Sequence, residues 1–434
     1  MQLNFSVSSI FIISNINLIK MKTFSIILSL IFLHISSSIF ATDIYVNSSG
    51  QSGTYTTIGA AITAASSGDR IFISPYGTYT ENLSIDKSLT LTSSASGTNF
   101  NVIGNITIAA DAGNEVRIIG CIFSGTILSS QGTASQNNMS NVYIIDSEGY
   151  NIANAGDFVK THVLFCNNLQ YVSISHGEII GCKIFGNVTI NDGPNAGTGD
   201  TLKIIGNLIS GTLTYNSDDD LFYISNNFFK LPDNSPTATR QSVRIMNSFY
   251  STSANNVFNN NTCIYFSGQN NNVYRGVEVT SSSNQSNIIV TNNVFEDMQT
   301  ANYGNSGNKI SFYTSATTAA QKPQASYNVA FGYAYWTSVI SNSVLIHTSG
   351  PSNFNYDDYG RSVDPRIVNS GSPSIQHYDI DMTINDLGTY GGPHSIDNYI
   401  NTTNGKARIF DLNMPFEIWT GQTPTITAKG VHTK

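Results

Sequence analysis

A short residue pattern that recurs through the middle of the chain constrains the fold more than any other feature of this sequence. Each copy, such as VRIIGCIF or IIVTNNVF, has an apolar stretch around an isoleucine or similar residue, then two small or Asn residues, then usually two apolar residues. Successive copies begin 26, 21, 15, 24, 20, 21 and 45 residues apart. The copies occupy residues 116–123, 142–149, 163–170, 178–185, 202–209, 222–229, 243–250 and 288–295, with shorter echoes at 253–258 and 339–345.

This spacing predicts a solenoid, in which each repeat forms one coil. The apolar runs are too short to close a core alone, so neighbouring coils must stack to bury them. Charged residues make up only 11% of the chain, and β-branched and aromatic runs are separated by Asn and Gly, which favours an all-β fold. The 15-residue step is too short for a full coil and marks one copy as misaligned.

One column of the repeat, the second small position, resembles the asparagine ladder of right-handed parallel β-helices. Asn tolerates the left-handed backbone of a tight turn, and stacked amides can bond to one another. We therefore predict a single right-handed parallel β-helix in which this column is architectural. Its members are Cys121, Ser147, Asn168, Cys182, Asn207, Asn227, Ser248 and Asn293, with Asn256 from an echo.

A second column, the variable position of the repeat, is predicted to point outward because side chains alternate across a strand. Basic and aromatic residues in such a stripe could bind a polysaccharide, because aromatic faces stack on sugar rings and cations pair with uronates or sulfates. The alternative is a set of ordinary solvated strand positions, since apolar and acidic residues interrupt the stripe. The candidate carbohydrate-binding residues are Arg117, Tyr143, Lys203, Tyr223 and Arg244, and the interruptions are Leu164, Glu178 and Ile288.

Residues 1–41 have the features of a secretory signal peptide. A basic start at Met21-Lys22 precedes the apolar run FSIILSLIFL, and small residues lead to Ala41, so the true start can be Met21. The run is short for a membrane span, and none is predicted in the mature chain. We therefore expect a secreted or cell-surface protein. We interpret the four scattered cysteines, Cys121, Cys166, Cys182 and Cys263, as small buried residues; the alternative is that two of them form a disulfide.

An amphipathic helix is predicted ahead of the coils, capped by Thr57 and continuing through Ile58, Ala61, Ile62 and Ala65. It covers the first coil, which has no neighbour. The helix and the GD, strand, P-x-GTYTE-N and K-x-L-T-L elements that follow, residues 60–91, resemble the N-terminal cap of the pectin-lyase-like superfamily, above all pectinesterases and exported bacterial β-helix proteins.

That resemblance implies a fold more strongly than an activity. Pectinesterase motifs of the forms QAVAL, QDTL, DFIFG and LGRPW should follow, and none occurs, so no catalytic residue is assigned and Gly77, Tyr79 and Glu81 are interpreted as turn and packing residues. Pectate-type lyases use a basic residue with Ca²⁺. Asp218, Asp219 and Asp220 could hold calcium near the strands that carry Lys203 and Arg244, or they could form a solvated turn.

A different signature, VDPRIVNSGSPSIQHYDIDMTINDLGTYGGPHSID, follows the coils and resembles the end segment of secreted bacterial β-helix proteins. Its D-x-D-x-T-x-N-D motif alternates oxygen donors, so Asp379, Asp381, Asn385 and Asp386 are candidate calcium ligands, although the glycine and glutamate of an EF-hand are missing. Otherwise the segment is a polar turn at the solenoid's C-terminal edge, followed by two or three final strands.

We thus expect a signal peptide in residues 1–41, a β-helix in 42–350 and a C-terminal capping segment in 351–434. The net charge of −8 argues against a nucleic-acid partner. The predicted function is an exported, non-catalytic carbohydrate-binding, adhesion or structural protein whose partner is a polysaccharide or cell-surface glycan. The alternative is a polysaccharide lyase or glycoside hydrolase of the same fold.

Overall fold

A computed structural model describes most of the chain from residue 41 onward. The described residues are 41–109, 111–130, 132–135, 137–154, 158–191, 201–217, 221–231, 240–248, 255–265, 274–280, 288–297, 309–314, 323–331, 335–336, 340–341, 346–348, 360, 365–400, 407–413 and 427–432. Residues 1–41 and 42–434 form two compact units, and the fold below belongs to the second. The predicted signal peptide lies outside the described residues apart from Ala41, as do Asp218, Asp219 and Asp220.

Three parallel sheets, which we call sheets A, B and C, run along the described coils. Sheet A contains β1 (Asp43–Val46), β2 (Arg70–Ile73), β5 (Leu89–Ser93), β8 (Glu115–Ile119), β10 (Ser140–Ile145), β12 (Val159–Leu164), β14 (His176–Ile180), β17 (Thr201–Ile205), β20 (Leu221–Ser225), β23 (Asn256–Asn259), β26 (Ile288–Thr291), β29 (Gln324–Ser326) and β32 (Ile340–Ser341). Sheet B contains β3 (Thr78–Thr80), β4 (Leu83–Ile85), β6 (Phe100–Ile103), β7 (Ile106–Ala109), β9 (Cys121–Ser130), β11 (Glu148–Asn154), β13 (Tyr171–Ile174), β16 (Val188–Ile190), β19 (Leu213–Ser217), β22 (Arg240–Ser248), β25 (Tyr274–Val279), β28 (Lys309–Thr314) and β31 (Tyr335–Trp336). Sheet C contains β15 (Lys183–Ile184), β18 (Leu208–Ile209), β21 (Phe228–Leu231), β24 (Thr262–Tyr265), β27 (Val294–Asp297), β30 (Val329–Phe331) and β33 (Ile346–Thr348).

The predicted parallel β-helix is confirmed, because successive coils add parallel strands to the same sheets in chain order. From β14 onward a coil passes through sheet A, then sheet C, then sheet B, and returns to sheet A. Side chains alternate across the strands, so in-register residues such as Ile144, Val163 and Ile179 stack inside the solenoid with no exposed surface. Burying one such side chain stabilises the fold by about 1.5–3 kcal/mol. Outside the coils, β34 (Ala407–Asn413) and β35 (Thr427–His432) form an antiparallel pair.

The turn that follows the sheet A strand repeats the same backbone geometry in nine described coils, and from β14 onward it leads into sheet C. Its first residue has a positive φ, which glycine and asparagine tolerate best. The side chain of the second residue points inward, where it forms the ladder. The first residues are Gly120, Asp146, Phe165, Gly181, Gly206, Asn226, Asn260, Asn292 and Tyr327.

The asparagine ladder is present, but three of its predicted members are wrong. Its members are Cys121, Ser147, Cys166, Cys182, Asn207, Asn227, Asn261, Asn293 and Asn328. Asn168 is exposed and donates to Glu148, since the repeat of this coil begins at residue 161 and not at 163, which makes Cys166 the ladder member. Ser248 belongs to sheet B, and Asn256 begins its strand in sheet A rather than its turn.

Amide-to-amide bonds connect the C-terminal half of the ladder. Asn227 Nδ2 donates to Asn261 Oδ1 at 3.0 Å, and Asn261 Nδ2 donates to Asn293 Oδ1 at 3.1 Å. Each amide also donates to a backbone carbonyl of the preceding coil, as Asn261 does to Ile224. These side chains are fully buried, so the ladder satisfies polar groups that would otherwise be orphaned at the turns. All four cysteines are buried and free.

The predicted cap helix is α1 (Ile58–Ala64), and the GTYTE motif holds it in place. Thr57 Oγ1 accepts a hydrogen bond from Ala60 N at 3.3 Å, as a capping residue does. Glu81, the acid of the motif, accepts hydrogen bonds from the backbone N–H groups of Ile58 at 2.8 Å and Gly59 at 2.9 Å. A carboxylate at this end also complements the helix dipole. The motif is therefore structural in this chain.

The segment 365–400 lies along the side of the coils, which differs from the expected position at the C-terminal edge. It contains a 3₁₀ turn (Ile375–His377) and α2 (Asp397–Ile400). Its apolar residues pack on the outward faces of sheets C and A, which are themselves apolar. The clusters are Ile367 and Leu387 with Val294, Val329 and Phe331; Ile396 with Phe228 and Ile264; and Tyr399 with Ile145, Leu164, Phe165, Ile180 and Ile205.

Outward side chains of the left-handed turn residues hold this segment. Asn226 Nδ2 donates to Thr389 O at 3.0 Å, Asn260 Nδ2 donates to Asn385 Oδ1 at 2.8 Å, and Asn292 Oδ1 accepts from Ser372 N at 2.8 Å. At Gly206 a Cβ atom would lie only 2.3 Å from the Tyr399 ring. The turn column thus carries Asn where the segment needs hydrogen bonds and Gly where it needs space.

No helix among the described residues is long and apolar enough to cross a membrane.

Replacing Asn261 with Ala should strongly destabilise the solenoid. The change orphans amide groups of both Asn227 and Asn293, so we expect the free energy of unfolding to fall by about 3 kcal/mol. Urea unfolding followed by circular dichroism measures it. The exposed Asn168→Ala change is the control and should cost about 1 kcal/mol or less. Equal losses for the two variants would contradict a ladder role for Asn261.

Replacing Glu81 with Ala should loosen the cap helix. Two charge-assisted hydrogen bonds to α1 are lost, so we expect a loss of about 2 kcal/mol, and Glu81→Gln, which keeps one acceptor, should lose less. Glu115→Ala, at an exposed ion pair with Arg117, is the control and should cost less than about 1 kcal/mol. The prediction is wrong if Glu81→Ala unfolds at the same denaturant concentration as wild type.

Candidate anion-binding site

The outward row of sheet A differs from the predicted stripe at three positions. Strand pairing places His162 where Leu164 was predicted and Ile289 where Ile288 was predicted, and Leu164 is buried one row away. Arg244 is not in this row at all, because β22 belongs to sheet B. In register, the row reads Thr90, Arg117, Tyr143, His162, Glu178, Lys203, Tyr223, Val257, Ile289 and Gln324.

Stacking within this row covers the aromatic faces on which a sugar ring would stack. The Arg117 guanidinium lies 4.8 Å from the centre of the Tyr143 ring, and the Tyr143 and His162 rings stack at 4.2 Å, tilted by only 8°. His162 Nδ1 lies 2.7 Å from Glu178 Oε1. Both faces of Tyr143 are therefore covered by its neighbours, and its outward side is a ring edge. Sugar stacking on Tyr143 is disfavoured by this geometry.

Tyr223, the other tyrosine of the row, is partly buried. His394 of the C-terminal segment meets its ring edge-on at 5.8 Å, and burial raises the pKa of its hydroxyl. Lys203 lies between Glu178 and Tyr223 in the register. Arg117, with 43% of its side chain accessible, pairs with Glu115 at 2.7 Å.

The outward face of sheet B brings together a cluster that the sequence did not predict. The register aligns Thr214, Arg244, Glu278 and Tyr313 across four strands, and Gln241 pairs with Arg275 beside them. We define the sheet B cluster as Gln241, Arg244, Arg275, Glu278 and Tyr313. Three consecutive coils, through β22, β25 and β28, therefore supply all five side chains.

Glu278 is the centre of the sheet B cluster. Only 5% of its side chain is exposed, and its two oxygens have different partners. Oε1 accepts from Arg275 Nη1, and Oε2 accepts from Gln241 Nε2. The Arg275 guanidinium in turn lies 3.8 Å from the centre of the Tyr313 ring. These two donors fix the orientation of the buried carboxylate, so Glu278 can orient its neighbours.

Arg244 is the accessible cation of the cluster. Its Nε lies 3.8 Å from Glu278 Oε2, which is beyond hydrogen-bond distance, and 42% of its side chain is exposed. Two guanidiniums face one carboxylate, so the cluster carries one surplus positive charge. Because Arg275 already occupies Oε1, the planar donor fork of Arg244 is available for an external carboxylate or sulfate. The arrangement can therefore bind an anion.

The candidate calcium ligands of the tail make hydrogen bonds within the protein. Asp379 accepts from the backbone N–H groups of Gly392 and Asp386, and Asp381 accepts from Thr383 Oγ1 at 2.7 Å. Asn385 bonds to Asn260, and Asp386 accepts from Asn369 N at 2.7 Å. In the described parts of the chain, no three His, Cys, Asp or Glu residues converge as a metal site would require. These residues organise the turn of the tail.

Sequence reasoning predicted Arg244 but assigned it to the wrong face, and it missed its partners. Two features concealed them. Residues 243–248 of the repeat VRIMNSFY imitate the sheet A pattern although they lie in sheet B, and the β19–β22 pairing shifts register after Ile245. A usable signal was the pair Arg275 and Glu278 in YRGVEV, because two charges so close together are uncommon in a chain with 11% charged residues.

Comparison of the chain with protein-family models and with curated proteins finds no match.

The docking of the tail should depend on pH through Asp379. Burial raises the pKa of this carboxyl to about 6 from 3.8, which outweighs the lowering by the Gly392 N–H, and Asp386 adds repulsion. The folded protein therefore binds this proton more tightly than the unfolded chain. The resulting stability is complete below the unfolded value of 3.8 and is lost as the pH rises through about 6.

Urea unfolding of wild type and Asp379→Asn at pH values from 4 to 7 measures this effect. We expect wild type to lose stability relative to the variant as the pH rises, because only wild type carries the titrating group. Asp381→Asn, at an exposed carboxyl whose pKa is lowered by Thr383, is the control and should retain the wild-type trend. A constant difference between wild type and Asp379→Asn would contradict the assignment.

Proposed function

We propose that the protein is an exported or cell-surface β-helix protein of the pectin-lyase-like type that binds an acidic polysaccharide through the sheet B cluster. The observation that carries this proposal is the half-exposed Arg244 beside a Glu278 whose oxygens are already occupied. The cation is thus supported in position without being neutralised. A uronate carboxylate or a sulfate ester has the charge and geometry for a two-point contact with it.

The fold suits a long, repetitive ligand. Coils in a solenoid lie about 4.8 Å apart, so a sheet face presents evenly spaced positions along an extended chain. The whole protein has a net charge of −8, so long-range attraction to an acidic polymer is absent. Recognition must therefore depend on short-range contacts at the local positive site, and binding should be selective rather than general.

The apolar outer surfaces of the coils are covered, which favours a binding role over a structural fibre that assembles through exposed hydrophobic faces. Outward residues of sheet C, such as Phe228 and Val294, are covered by the chain's own C-terminal segment. Polar and charged side chains occupy the cluster on sheet B instead. Adhesion through a surface glycan fits this distribution and is the form of function we propose.

The alternative, a polysaccharide lyase or glycoside hydrolase, is favoured by one observation: the sheet B cluster places a carboxylate and two guanidiniums together, as proton-transfer chemistry on a uronate would need. Incubation with uronic-acid polysaccharides, with and without Ca²⁺, distinguishes the two functions. If wild type forms unsaturated or shortened products and Glu278→Gln does not, the protein is an enzyme and the binding proposal is wrong. Intact polymer after prolonged incubation supports binding alone.

Replacing Arg244 with Ala should weaken binding to polyuronate or sulfated glycans by about tenfold or more, because charge-assisted hydrogen bonds are lost. Arg244→Lys should recover only part of the affinity, since a lysine lacks the planar donor fork. Calorimetry or a glycan array measures both. Arg117→Ala is the matched control, because its side chain is equally exposed (43%) but lies on sheet A.

Binding that is unchanged in Arg244→Ala, or equally weakened in Arg117→Ala, would refute the sheet B cluster as the site. Binding of neutral glycans with the same affinity would refute recognition through charge.

A further inference from the structure

A buried carboxylate lies against the backbone nitrogen of Thr42. Asp69 Oδ1 accepts a hydrogen bond from Thr42 N at 2.7 Å, and its Oδ2 accepts from Ser66 N at 2.8 Å. Asp69 itself is only 4% exposed. The carbonyl of Thr42 is held as well, because it accepts from Arg70 N at 3.0 Å. The first residue of the β-helix is therefore fixed through both its nitrogen and its carbonyl.

Among the described residues, no cation pairs with the Asp69 carboxylate. Arg70, its neighbour in sequence, pairs with Asp43 at 2.7 Å and points to the outward face of sheet A. Both groups that bond to Asp69 are neutral amides. Burying a carboxylate that has only neutral hydrogen-bond partners costs free energy, and a cation at either donor position would lower that cost.

The boundary of the fold falls at the same residue. The second compact unit begins at Thr42, while Ala41 closes the first unit and is exposed. The sequence independently predicts a cleavage point after Ala41, from the apolar run and the small residues before it. Cleavage of the Ala41–Thr42 bond would leave every described strand of the coils intact, because β1 begins at Asp43.

We propose that hydrolysis of the Ala41–Thr42 bond produces an α-ammonium group on Thr42 that forms a buried ion pair with Asp69. Water adds its oxygen to the carbonyl carbon of Ala41, which leaves as a carboxylate, and the nitrogen of Thr42 retains the bonding electrons and is protonated. The donor already 2.7 Å from Asp69 thereby gains a positive charge without moving. The processed protein is consequently more stable than its precursor. The proposal rests on the export part of the proposed function and not on glycan binding.

Intact-mass measurement of the protein recovered from a secreting host tests the cleavage. The expected first residue is Thr42. A start at any other residue overturns the proposal, whereas a failure of glycan binding would leave it unaffected.

Thermal unfolding of four proteins tests the ion pair. Asp69→Asn and the protein that keeps Asp69 are each compared in the processed form and in an uncleaved form. The uncleaved form carries Ala41→Arg, a change at an exposed residue that blocks cleavage. Asp69→Asn should lower the unfolding midpoint by several degrees more in the processed form, because only that form contains the ammonium group. Asp86→Asn, at a carboxyl that is 71% exposed, is the control and should change both forms alike. Equal effects of Asp69→Asn in both forms would overturn the ion pair, even if cleavage occurs after Ala41.

Discussion

The rest of the structure depends on one backbone constraint, the left-handed residue at the turn that follows each of nine sheet A strands. The next side chain points inward, where it bonds to its equivalents in the adjacent coils. Because nine described coils repeat this turn, the sheet A strands that precede it stay in register from one coil to the next. Without the ladder, the turns would bury unsatisfied backbone N–H groups, which would offset part of the stabilisation gained by stacking.

The same turns also determine what lies outside the solenoid. Left-handed positions favour Gly and Asn, and this protein uses the difference between them. Asn226, Asn260 and Asn292 extend outward to the C-terminal segment, while Gly181 and Gly206 leave room for Tyr399. The apolar outward residues of sheet C are covered in consequence. A segment far along the sequence therefore belongs to the lateral packing of the coils, and its D-x-D-x-T-x-N-D motif organises that packing.

The two outward rows show how similar residue types acquire different roles. On sheet A, arginine, tyrosine, histidine and glutamate occupy successive coils and contact one another, so each side chain is occupied by its neighbours in the row. On sheet B, Glu278 holds Arg275 firmly and leaves Arg244 with spare donors. The register, and not the composition of the row, decides whether a cation is available to a ligand.

By itself, the sequence determined the repeat, the parallel β-helix, the cap helix with Thr57, and the interior column of small and amide residues, because these follow from local periodicity and turn preferences. Only the tertiary structure decided which sheet each repeat joins. A segment such as VRIMNSFY satisfies the local pattern of sheet A, yet pairing with β19 and β25 places it in sheet B. The candidate site needs three coils in register, and the tail reaches coils more than a hundred residues earlier. Such long-range alignments arise from packing of the whole solenoid, and local periodicity carries no information about them.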